Sequence, residues 1–259
     1  MIRMIQSEFF RIRKSRLFFA CLLLSAFYVL SLALTFHYDM VKVPEKTGVQ
    51  VIASLNAYTE FLFSDYSLIY PITLFLGLYL TEDYHKGVQA ALLSKGVPRA
   101  GLFWGKLIAA WLGTLLYLFI NLFMAYLFIL SMWAGRPMIE YSLPLIGGYL
   151  MLQILCFLGY TCLIWLLCCL FRHRCLVTGG CFALLLILYL YLTRISNALD
   201  LSYSLYQYWV VGLSNELKIG LSLRQLYPAI ITILVYMLAP TAIAYFLYRR
   251  VDLRRFERR

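Results

Sequence analysis

Five stretches of this chain run for 19 residues or more without a charged side chain, and a sixth is interrupted by a single acid. A helix needs about 20 mostly apolar residues to cross a hydrocarbon layer of about 30 Å, so such stretches read as membrane spans. With 63% hydrophobic and 14% charged residues, a water-soluble domain could not bury its apolar surface. The fold class is therefore all-α, a polytopic membrane protein. Residues 1–259 form one transmembrane domain, with spans at about 17–36, 61–81, 107–130, 146–170, 175–193 and 227–248.

Prolines mark several of these spans. Pro71 predicts a kink in the second, Pro144 sits near the start of the fourth where a helix tolerates it, and Pro240 predicts a kink in the sixth. The uncharged stretch from Leu201 to Asn215 is too short for a crossing and suits a re-entrant or interfacial segment within an outward loop, 194–226. Ahead of the first span, Ile2, Ile5, Phe9 and Ile12 form one apolar stripe on a helix that also carries Arg3, Arg11, Arg13 and Lys14, which predicts an interfacial helix over 1–16. The apolar run that follows is longer than a signal-peptide core and lacks a small-residue cleavage site, so it is expected to stay as a span.

Orientation follows from lysine and arginine. With the N-terminus inside, 17 of the 23 basic residues fall on the cytoplasmic side, and the remaining six are Lys42, Lys46, Arg136, Arg194, Lys218 and Arg224. Both termini are thus expected in the cytoplasm. The net charge of +11 belongs beside anionic membrane lipids rather than nucleic acid, because the basic residues flank spans.

Catalytic and metal signatures are missing. No H-E-x-x-H or G-x-S-x-G occurs, and the segment Gly101 to Lys106 is one residue short between its glycines for a phosphate-binding loop. Cys168, Cys169, His173 and Cys175 match no usual zinc spacing and read as packing residues. Asp65 is the one clear acidic charge within a span; it is a candidate for lining a translocation path, set against a structural partner site.

The most informative segment is the connection between the second and third spans, 82–100. It holds a short amphipathic stretch with Val88, Leu92 and Leu93 on one side, closed by Gly96 and Pro98. The order Glu82, Gly87, Leu92-Leu93, Arg99 and Lys106 resembles the first intracellular loop of the ATP-binding cassette (ABC) type-2 permeases, with Val88 in place of the usual threonine and Pro98 in place of the usual serine. The layout of the whole chain is similar to that family.

The resemblance implies a permease subunit with no catalytic residues and no cofactor of its own. ATP and Mg would be bound by separate cytoplasmic ABC ATPase subunits, and a second permease subunit, identical or homologous, would complete the transporter in a bacterial cell membrane. The ATPase would be gripped by a short coupling helix at about 83–95, with Glu82, Asp83, Lys86, Gly87, Gln89, Leu92, Leu93 and Arg99 as the coupling residues. Small members of this type resemble exporters of lantibiotics and other antimicrobial peptides, which makes an amphipathic peptide the leading substrate expectation. The competing class is a stand-alone secondary transporter or a non-transporting membrane scaffold.

Overall fold

The structure is a computed structural model that describes residues 2–47, 55–64, 68–85, 92–132, 143–198, 205–220 and 223–250. Ser15 separates the first two helices, α1 (Ile2–Lys14) and α2 (Arg16–Thr47), and its hydroxyl accepts the backbone N–H of Phe18 at 3.4 Å. The last turn of α1 carries Arg11, Arg13 and Lys14, where cations suit the helix dipole. The chain continues through α3 (Leu55–Ser64), α4 (Ile69–His85), α5 (Arg99–Met132), α6 (Leu143–Phe171) and α7 (Arg174–Ala198). A 3-10 turn (Leu205–Tyr208) and the short α8 (Val210–Glu216) precede the final α9 (Leu223–Arg250).

Five of these helices are long and apolar enough to cross a membrane: α2, α5, α6, α7 and α9. A bent pair, Ala57–Ser64 and Ile69–Glu82, at 49° to each other, makes a sixth when its two halves are taken as one broken span. This differs from a single second span kinked at Pro71. Pro71 instead lies in the first turn of α4, where its missing N–H leaves no intrahelical bond unmade, so the bend falls ahead of the proline. Asp65 lies between the two halves, outside the described residues. The helix α9 continues through both Pro228 and Pro240.

Contacts sort the helix ends into two layers. At one end α1 meets α4 and α5 through Glu8, and Arg99 at the start of α5 donates to the carbonyl of Arg249 at the close of α9. At the other end Phe36 of α2 packs on Tyr58 and Phe61 of α3, Thr59 bonds Tyr126 of α5, and Phe63 meets Tyr149 of α6. The chain therefore alternates direction, and α1 and the close of α9 share one end, which also carries Arg11, Arg13, Lys14, Arg16, Arg172 and Arg174.

The helix α6 forms the middle of the body, with 61% of its apolar window buried against 17% for α7 and 22% for α9. Trp165 of α6 is fully covered by Phe103 of α5 and Tyr248 of α9. The outer helices turn Leu186, Ile187, Leu190, Leu234 and Leu238 outward, as lipid-facing surfaces do. Two residues, Arg172 and His173, join the most buried helix to the most exposed one, and Arg172 takes the left-handed conformation (φ 53°) that such a reversal requires. Where α4 crosses α7, a Cβ on Gly77 would stand 2.5 Å from the Thr178 methyl, so glycine sets that separation.

Candidate functional site

Polar groups inside this apolar body gather at its two ends. At the basic end, Glu8 of α1 is 6% exposed and carries three partners. One carboxylate oxygen accepts the Tyr79 hydroxyl of α4 at 2.6 Å and lies 3.1 Å from the Arg11 guanidinium. The other lies 3.9 Å from the Lys106 ammonium of α5. Arg11 also rests over the Tyr79 ring, 4.6 Å from its centre. Lys106 is 1% exposed, because α5 begins at Arg99 and so carries this lysine two turns into the helix, ahead of the expected span start at 107. A buried ion is tolerated where opposite charge compensates its lost hydration, and Glu8 supplies that charge.

This arrangement corrects the expected stripe on α1. Ile12 is fully buried, yet Phe9 is 40% exposed, and the residue that shares the buried face one turn before Ile12 is Glu8. Glu8 is the sole acid among the first 38 residues, which was the available signal. On a basic amphipathic helix such a residue reads as part of the solvated face.

The connection between α4 and α5 starts on the same end. Glu82 and Asp83 belong to the last turn of α4, since that helix runs on to His85, and Glu82 is half-buried. Lys86, Gly87 and Gln89 lie outside the described residues. Leu92–Ser94 make a helical turn that closes as expected at Gly96: the Val97 N–H bonds the Leu92 carbonyl at 3.2 Å and the Gly96 N–H bonds the Leu93 carbonyl at 3.0 Å. This paired closure needs a left-handed residue, supplied by Gly96 at φ 81°. Leu92, Leu93 and Val97 are half-buried against the chain's own core, while Ser94, Lys95 and Gly96 face outward. Arg99 is exposed and ties the start of α5 to the Arg249 carbonyl at 3.0 Å.

At the opposite end, Gln153 in the first half of α6 clasps α8. Its amide nitrogen donates to the Ser214 carbonyl at 2.8 Å and to the Tyr149 hydroxyl at 2.9 Å, and its oxygen accepts the Ser214 hydroxyl at 2.6 Å. Glu60 of α3 accepts the Ile219 N–H at 2.5 Å. The expected short segment before the last span is thus folded as a turn and a seven-residue helix, whose Val210 to Ser214 are all buried. Between the two ends, Thr73 pairs with Tyr160 and Thr114 with Thr161, each at 2.9 Å, and the Tyr117 hydroxyl donates to the Leu68 carbonyl at 3.0 Å. Among the described residues no three histidine, cysteine or acidic side chains group closely enough to hold a metal.

Five long apolar helices with lipid-facing flanks, tied together by buried polar groups, define a multi-pass membrane protein. The chain belongs to the ABC-2 family transporter proteins, whose family model matches residues 4–190. No curated protein is a significant match to it. Permeases of this family are transmembrane components that are not themselves catalytic and that generally work with cytoplasmic ABC ATPase subunits.

Proposed function

We propose that this chain is the permease subunit of an ABC exporter, paired with a second permease that is identical or homologous and driven by separate ATPase subunits docked on its basic end. The observation that carries this reading, beside the family match, is the turn at Leu92–Gly96. Its apolar residues hold it to the body and its polar residues face outward, so a force on Ser94 and Lys95 passes directly into α5. The coupling residues of this proposal span 82–99, and the substrate it favours is an amphipathic antimicrobial peptide, in keeping with a membrane body of this size.

Because Leu92 and Leu93 contact the chain's own core, charges placed there would lift the turn away and confuse docking with folding. The cleaner variant is Ser94→Glu with Lys95→Glu. In cells that co-express ABC ATPases from the same genome, this variant inserts normally, and both ATPase co-purification and peptide resistance fall about tenfold or more, as loss of an interface anchor worth about 1.4 kcal/mol predicts. Retention of both would favour the stand-alone carrier or scaffold.

Orientation has its own measurement. Single cysteines at positions 46 and 218 react with a membrane-impermeant thiol reagent added to intact cells, whereas those at 174 and 255 react only after the membrane is opened. Labelling at 174 or 255 in intact cells would place the basic end outside.

A further inference from the structure

A cavity of about 490 Å3 opens at the basic end, between the α1–α2 junction, the last turns of α4 and the first turn of α7. Four cations line it, Arg11, Lys14, Arg16 and Arg174, against the Glu82 carboxylate. Arg11 is engaged by Glu8, which leaves Lys14, Arg16 and Arg174 as the surplus positive charge. The Arg174 Nε is buried and has no hydrogen-bond partner, an arrangement that is unfavourable unless an acceptor enters the cavity. Leu17 and Leu78 form an apolar part of the same wall. Beside the cavity lie α2 and α7, whose Phe19 and Leu176 are more than half exposed on the outside of the body.

We propose that this cavity binds the phosphate headgroup of an anionic membrane lipid. The guanidinium of Arg174 and the ammonium of Lys14 contact the phosphate oxygens, a geometry in which arginine acts as a fork and lysine as a point charge. The leucines and the outer faces of α2 and α7 receive the glycerol and the start of the acyl chains. A soluble phosphate compound shares the headgroup chemistry but would gain nothing from the apolar wall. A basic pocket between spans at a membrane surface is the usual form of such recognition. This inference requires neither an ATPase partner nor a particular orientation, so its test stands apart from that of the exporter reading.

The experiment is native mass spectrometry of the purified full chain, delipidated and titrated with phosphatidylglycerol or phosphatidylcholine, with inorganic phosphate as competitor. The wild type retains phosphatidylglycerol preferentially, and inorganic phosphate does not displace it. The Lys14→Gln, Arg174→Gln double variant loses that preference about thirtyfold, which is about 2 kcal/mol for two cations at a lipid surface. Glu82→Gln strengthens retention, a gain that misfolding could not produce. Equal retention of the two lipids by the wild type would overturn the proposal, as would displacement by inorganic phosphate, which would assign the cavity to a soluble phosphate compound instead.

Discussion

Glu8→Gln is expected to lower the stability of the folded protein by about 3 kcal/mol, a large fraction of what a domain usually has. The substitution is nearly isosteric, so the loss comes from charge: Lys106, 1% exposed, loses the carboxylate that compensates its buried ammonium. Arg11 suffers less, because a third of its side chain reaches the surface. The diagnostic variant is the double one. With Glu8→Gln and Lys106→Met together, the buried cation is gone as well and most of the stability returns, since replacing a buried ion pair by apolar groups is often neutral whereas breaking it is not. Thermal or denaturant unfolding of the protein in detergent measures all three variants. A double variant no more stable than Glu8→Gln alone would mean that the carboxylate acts through Tyr79 and Arg11 and not through Lys106.

At the opposite end, Gly212→Val is expected to dislodge α8. A Cβ at this position would stand 2.1 Å from the Tyr206 carbonyl oxygen and 2.7 and 2.8 Å from atoms of the Tyr206 ring. The first of these is backbone and cannot rotate away, so the 3-10 turn and α8 must separate. Forcing extra methyls into a packed site costs about 1–3 kcal/mol, and this contact belongs at the upper end because the Gln153–Ser214 clasp resists the separation. The measurable results are a lowered midpoint of thermal unfolding and new protease cleavage within 205–216. Wild-type values for both would show that the turn and α8 do not approach this closely in the folded protein.

Much of this fold was legible because a bilayer imposes simple arithmetic. Charge-free stretches of sufficient length became α2, α5, α6, α7 and α9, and in the stretch too short to cross, the described residues from Leu205 onward form a 3-10 turn and a short, largely buried helix. The 49° angle between α3 and α4 is not legible in the sequence, because Pro71 offers a more familiar reason for a kink a few residues away. The polar sites were harder to read. Hydropathy places Lys106 at a membrane boundary, yet its burial depends on where α5 begins, and nothing in the local composition fixes that start at Arg99. Glu8 and Lys106 are 98 positions apart, and only tertiary structure brings them together. Gln153 likewise depends on Ser214, 61 positions away. Leu92 and Leu93 lie on one apolar side of a turn closed by Gly96, and a sequence does not say whether such a side meets another protein or its own core.

The Glu8 carboxylate touches α4 and α5, the two helices that flank the connection between the second and third spans. These helices are also tied further along, where the Tyr117 hydroxyl of α5 reaches the Leu68 carbonyl at the start of α4. Along α4 the two ties are separated by 11 residues, from Leu68 to Tyr79, or about 16 Å at 1.5 Å per residue. Two struts bolted together at two points cannot scissor about either one. A load applied to the loop between them tilts the pair as a single beam, and α1 rides with it as the bolt.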